Sequence, residues 1–199
     1  CHCRLFAYCY RMNKTTLAGF VIVVGAIVAS VAFLASKSAE APVMSQLSPE
    51  QSVFDGKNAT FTIDGKSVTL VNGISEVPAA PGSAAKITTR YFGNETTGDL
   101  SGDGLPDMAF LVTQDTGGSG LFYYAVVAIK TTDGYKTTNA FLVGDRIAPQ
   151  STYIPANSQE LQINYAERKP GEPMTARPSV GVTLLLKVTP AGILEGLMK

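Results

Sequence analysis

Leu121–Ile129 reads LFYYAVVAI, apolar almost throughout and without a charge. Such a run predicts a central strand covered on both faces, because a strand with one wet face would alternate. The segments around it have the same texture. Met108–Gln114 precedes it and Tyr135–Val143 follows it, the latter joined through Asp133-Gly134, a hairpin signal. Further upstream, Ala59–Ile63 and Ser67–Val71 flank Asp64-Gly65, a second hairpin signal, and Asn72-Gly73 ends the second run. Pro78–Ser83 reads as a Pro/Gly/Ala loop. Lys86–Phe92 and Glu160–Tyr165 alternate and predict strands with one wet face, and Val180–Val188 is a further β-rich run. No segment after residue 55 sustains a 3.6-residue apolar period, and no 20–50-residue repeat is present. The expected fold is mainly β: a single antiparallel β domain, residues 54–199, preceded by one N-terminal transmembrane helix.

That helix rests on Leu17–Ala35, LAGFVIVVGAIVASVAFLA, inside an uncharged stretch from Thr15 to Ser36. At about 1.5 Å per residue, residues 15–36 span roughly 33 Å, enough for a hydrocarbon core of about 30 Å. Backbone amides in lipid must pair within the segment, so the stretch predicts a helix. The 199-residue chain has 16 Lys and Arg against 16 Asp and Glu, yet this balance is an average. Arg4, Arg11 and Lys14 precede the span with no acid; the other 13 basic residues and all 16 acids follow it. A positive tail of residues 1–14 stays cytoplasmic, which places the β domain outside the cytoplasm. Ala39-Glu40-Ala41 fits a small-x-small cleavage site, so the span could serve as a removed signal peptide and the domain be secreted. Its apolar run exceeds the ~7–15 residues of a signal core and favours an uncleaved anchor.

The three cysteines (Cys1, Cys3, Cys9) and the single histidine (His2) all precede Met12-Asn13-Lys14, which makes a natural start ahead of the apolar run. Residues 1–11 look foreign to the remainder, and no second ligand pair exists to make Cys1-His2-Cys3 a zinc clip. The exported part therefore has no disulfide to stabilise it. Residues 37–53 read as a linker, within which Ser48-Pro49-Glu50 could start a short helix.

One motif carries chemistry. In Asp99-Leu100-Ser101-Gly102-Asp103-Gly104-Leu105-Pro106-Asp107, oxygen-bearing side chains stand at positions 1, 3, 5 and 9. A Ca²⁺ ion takes six to eight oxygens at about 2.3–2.6 Å, and a loop offering one at every second residue must curl around it. Gly104 stands sixth, where calcium loops of the EF-hand type need their sharp turn, and Leu105 stands where such loops give a backbone carbonyl. The twelfth position is Phe110 in place of a bidentate Glu, and the flanks Tyr91-Phe92 and Met108–Val112 look like strands. A true EF-hand is thereby excluded. A metal-free Asp/Gly turn is the alternative, but three carboxylates within nine residues repel one another without a cation.

The segment from Phe92-Gly93 through Gly98-Asp99-Leu100-Ser101-Gly102-Asp103-Gly104-Leu105-Pro106-Asp107-Met108-Ala109 resembles a single FG-GAP repeat, the strand–calcium loop–strand unit of integrin-type propellers. The resemblance, over residues 92–109, implies Asp99, Ser101, Asp103 and Asp107 as side-chain ligands and Leu105 as a carbonyl ligand. One such unit implies no propeller ring. The domain is also similar to a group of uncharacterised bacterial anchored or secreted proteins, sometimes joined to a META (HslJ-like) domain. That likeness implies no activity.

Other features carry less. Thr116–Gly120 is glycine-rich but lacks the Lys-Ser/Thr and helix of a phosphate loop, and reads as a hairpin loop. Gly144-Asp145-Arg146 predicts an ion pair at a strand end. Residues 168–178 form a Pro-punctuated connection. With no His or Cys after Cys9, the exported part has no Ser-His-Asp or Cys-His nucleophile system. Neutral charge predicts no nucleic-acid partner. The sequence thus points to an envelope protein with a structural Ca²⁺ loop, acting as a binding or structural module toward a protein or envelope polymer. The competing readings are a pseudopilin-like subunit, against which Val24 stands where a prepilin would have Glu after Gly19, and a hydrolase using Asp115, Asp145 or Glu167.

Overall fold

The structure is a computed structural model and describes residues 53–197. The tail 1–14, the apolar span 15–36, the helix start at Ser48-Pro49-Glu50 and all of the linker except Val53 lie outside the described residues. No helix among the described residues is long and apolar enough to cross a membrane.

The Asp64-Gly65 signal sets the first chain reversal. Both residues have positive φ (48° and 75°), the backbone of a two-residue turn whose twist matches the strands it joins. It links β1 (Thr60–Ile63) to β2 (Lys66–Thr69). Asn72-Gly73 repeats the geometry (φ 52° and 87°), and Val71 and Ile74 exchange N–H···O bonds of 2.9 and 3.2 Å across it. It opens a strand that the sequence reading missed, β3 (Ile74–Pro78), so Pro78 ends a strand rather than starting a loop. Two long neighbours follow, β4 (Lys86–Gly98) and β5 (Asp107–Asp115), and Thr116–Gly120 lies in the connection to β6 (Phe122–Thr131).

The expected run Tyr135–Val143 is not one strand. It is β7 (Gly134–Thr137) and β8 (Phe141–Asp145), separated at Thr138–Ala140. Both pair with the same edge of β6, β7 with Ala128–Thr131 and β8 with Phe122–Ala125, so the chain must step over between them. The turn before β7 also sits one residue earlier than Asp133-Gly134 suggests, because Gly134 already pairs with Thr131. The chain then builds β9 (Ala148–Tyr153), β10 (Glu160–Glu167), β11 (Val180–Val188) and β12 (Leu194–Gly196). Strands β9 and β12 were not foreseen.

These strands form three antiparallel sheets: the β1–β2 hairpin, a six-stranded sheet ordered β3-β4-β5-β6-β7 with β8 also on β6, and a four-stranded sheet ordered β12-β11-β10-β9. Among the described residues the only helical piece is a 3-10 turn, Gly56–Asn58, where Asp55 accepts the Lys57 N–H (2.9 Å).

The six-stranded sheet is the middle layer. Side chains alternate along a strand, so β5 and β6 each present one set to either side. Ala109, Leu111, Tyr123, Ala125 and Val127 join Leu161, Ile163, Leu186 and Leu194 of the four-stranded sheet in one core. Phe110, Val112, Tyr124 and Val126 join Ala59, Phe61, Ile63 and Leu70 around the hairpin in a second. The unbroken apolar run of β6 is thus explained by two buried faces. Strand β10 alternates buried and half-buried residues along Glu160–Tyr165, as expected of one wet face.

Phe110 anchors the second core. It is fully buried, with its ring 5.7 Å from Tyr91, 6.0 Å from Phe54 and 6.3 Å from Phe61. Removing such a ring leaves a cavity that neighbouring strands cannot close, so Phe110→Ala should cost about 3–5 kcal/mol in urea unfolding. Val53→Ala, at a site 83% exposed, should stay within about 0.5 kcal/mol of the unaltered chain.

Candidate metal centre

Residues 99–106 join β4 to β5, whose ends pair at Gly98 and Asp107. Both flanks are strands, as Tyr91-Phe92 and Met108–Val112 suggest, and helix–loop–helix calcium geometry is ruled out. Leu100 anchors the loop. Its side chain is fully buried in the core between the two larger sheets, which draws the backbone down onto Asp107.

Asp107 is itself fully buried. Its Oδ2 accepts the N–H groups of Leu100 (2.9 Å) and Ser101 (2.8 Å), and its Oδ1 accepts that of Lys130 (2.8 Å) at the end of β6. A buried amide without a partner is expensive, and one carboxylate here satisfies three. Burial nevertheless pushes the Asp107 carboxyl above its usual range, against the pull of those N–H groups. The side chain joins the loop to two strands.

Asp99 works locally. Its Oδ1 accepts Gly102 N–H (2.6 Å) and Asp103 N–H (3.2 Å), and its Oδ2 accepts Gly104 N–H (2.9 Å). Asp103 Oδ1 accepts Leu105 N–H at 2.8 Å. Gly102 and Gly104 both have φ 82°, and at Gly104 open space lies where a Cβ would stand, so its requirement is conformational rather than steric. The loop is curled, as the alternate-oxygen spacing predicts. Seven backbone N–H bonds close on three carboxylates, which offsets the repulsion that sequence alone assigns to a cation.

The predicted ligands are not all together. Ser101 and Asp103 are exposed, Asp99 and Leu105 are half-buried, and Asp107 holds its oxygens inward on the backbone. Among the described residues no three His, Cys, Asp or Glu side chains stand where they could hold one metal ion. Asp99, Ser101, Asp103 and Leu105 lie on the less buried side of the loop, whereas Asp107 is buried beneath it. The anchoring role of Leu100 and the Lys130 amide went unread. Leu100 looks like a spacer between ligands, and Lys130 lies 23 residues from Asp107. A cavity of about 460 Å³ adjoins the loop, lined by Thr97, Asp99, Ile154 and Asn157–Gln159 among others.

The candidate hydrolytic acids divide. Asp145 and Glu167 line one depression of about 280 Å³ with Arg168, Lys169 and Glu172, whereas Asp115 caps the Gly117 N–H (2.8 Å) at the start of another loop. Asp145 makes the predicted ion pair with Arg146 (2.6 Å) at the end of β8 and also accepts Leu121 N–H at 2.9 Å. The Arg146 hydrogen bond holds its carboxyl below the usual carboxylate range. It is a structural carboxylate and a poor proton donor. No protein-family model, curated protein or solved structure matches the chain.

Two outcomes follow from these carboxylates. Asp107→Asn puts an NH₂ where an acceptor stood, so at least one of three N–H groups loses its partner, and stability should fall by about 1–3 kcal/mol in urea titration. For Asp145 the folded-state pKa is depressed, so its contribution is complete above the unfolded value near 4 and disappears as pH falls through the folded value. The stability gap between the unaltered chain and Asp145→Asn, measured from neutral pH downward, should close in that acid window.

Proposed function

We propose that this chain is an envelope protein in which the N-terminal apolar segment tethers a β domain outside the cytoplasm, and that the domain acts as a binding or structural module toward a protein or envelope polymer. The tether rests on the uncharged stretch 15–36 and on Arg4, Arg11 and Lys14 ahead of it. The module reading rests on chemistry: the part after Cys9 has no His or Cys to build a nucleophile–base pair, and the Asp145 carboxyl is held charged by Arg146.

Within this reading, loop 99–107 binds one Ca²⁺ through Asp99, Ser101, Asp103 and the Leu105 carbonyl, with Asp107 fixing the loop's base rather than touching the ion. The carrying observation is the curl itself, in which Asp99 gathers three successive N–H groups and Asp103 a fourth. Those bonds fix where the carboxylate oxygens stand, and a carboxylate keeps lone pairs beyond the ones given to N–H groups. With no disulfide in the exported part, the ion would stabilise by mass action.

The test is thermal melting of the full chain in detergent with Ca²⁺ and with chelator. At about ten times Kd, binding contributes about 1.4 kcal/mol, a rise of roughly 3–6 °C for a domain of this size. Asp103→Asn retains an acceptor for Leu105 N–H, loses the charge and should remove most of that rise. Superimposable melts with and without Ca²⁺ would refute the calcium reading.

A further inference from the structure

A cavity of about 300 Å³ opens between the β1–β2 hairpin and the sheet face formed by β3, β4 and β5. It exists because the hairpin is shorter than the face it covers. Phe110 and Val112 of β5 lie under the hairpin, but the next residue on that face is Gln114, directly opposite Thr89 of β4. Gln114 and Thr89 are only 9% and 2% exposed, and Gln114 Nε2 donates to Thr89 Oγ1 at 3.1 Å. The lining sets Ile63 and Val68 of the hairpin, Val77 of β3 and Ile87 of β4 beside the hydroxyl-bearing Ser67, Ser75 and Thr116.

A buried polar pair costs free energy unless its hydrogen-bonding capacity is used. A primary amide can make up to four hydrogen bonds, and the one to Thr89 employs a single N–H. Hydrocarbon walls with a few convergent polar groups are the usual composition of a small-molecule site, and the volume is at the small end of the roughly 300–1,000 Å³ such sites occupy. Thr89 and Gln114 are both uncharged. The charged members of the lining, Asp64 and Lys66, are exposed, whereas Gln114 and Thr89 are buried, so a charged head set on Gln114 would be desolvated.

We propose that this cavity binds a small neutral molecule with a branched hydrocarbon body and a carboxamide-like head, the head pairing with Gln114 and Thr89 and the body lying against Ile63, Val68, Val77 and Ile87. The site is remote in role from loop 99–107 and does not depend on calcium.

The experiment titrates the isotope-labelled full chain in detergent with isovaleramide and, separately, with isovalerate, which has the same body and a charged head. The readouts are the side-chain amide signals of Gln114 and the backbone signals of the lining residues. Saturable shifts confined to the lining with isovaleramide, and binding of isovalerate weaker by about tenfold, support the site. Gln114→Leu should weaken isovaleramide about tenfold, as should Thr89→Val if the leucine variant does not fold, since each leaves the amide head short of a partner. Equal binding of amide and carboxylate, shifts that scatter or fail to saturate, or undiminished binding to a folded variant overturns the proposal. If neither variant folds, the comparison of the two probes on the unaltered chain decides alone.

Discussion

Strands β5 and β6 have almost no face that water can reach, and the rest of the domain follows from that. A strand pair buried on both sides needs two covers, because leaving a β-branched or aromatic side chain in water forfeits about 1.5–3 kcal/mol each. One cover is the four-stranded sheet with Leu161, Ile163 and Leu186; the other is the β1–β2 hairpin with Phe61, Ile63 and, just beyond it, Leu70. The two covers differ in size, and this asymmetry produces the cavity floored by Gln114. The end of the middle layer is fixed by Asp107, whose carboxylate joins the β4–β5 loop to the end of β6.

How much of this was legible depends on how local each signal is. The Asp64-Gly65 turn and the double burial of Leu121–Ile129 are written in adjacent residues, and both were read correctly. The long strands were placed for the same reason, except that β4 runs on past Phe92 to Gly98. The short edge strands were not: Ile74–Pro78, Ala148–Tyr153 and Leu194–Gly196 are mostly exposed or half-buried, carry Pro, Gln, Ser or Glu, and acquire strand geometry only from their neighbours. The break within Tyr135–Val143 was missed because the polar run Lys136–Asn139 contains no Gly or Pro to mark a turn. Only the shared edge of β6 explains it, since both halves pair with one strand at different heights.

The loop shows a subtler limit. Spacing alone assigns Asp99, Asp103 and Asp107 one common duty, because each is a carboxylate at a ligand position. Burial separates them. The depth of Leu100 in the core draws its own N–H and that of Ser101 onto Asp107, while Asp99 and Asp103 organise the outer curl. A motif lists which oxygens are near in sequence; solvent exposure decides which of them can still face outward. Thr89 and Gln114 went unread for the converse reason, since polar residues in an alternating strand resemble its wet side.

The step between β7 and β8 has a mechanical consequence. Asn139 lies in that gap, where its side chain takes Leu194 N–H (2.8 Å) and donates to Leu194 O (3.2 Å) on one outer layer. Its backbone forms a bridge with Thr62, Ala140 N–H reaches Thr62 O at 2.7 Å, and Thr137 Oγ1 donates to Thr60 O on the other. Residues 137–140 are therefore a rivet through all three layers. Any load on β1 therefore meets these contacts as well as the β1–β2 ladder, and both covers are tied to one point of the middle sheet.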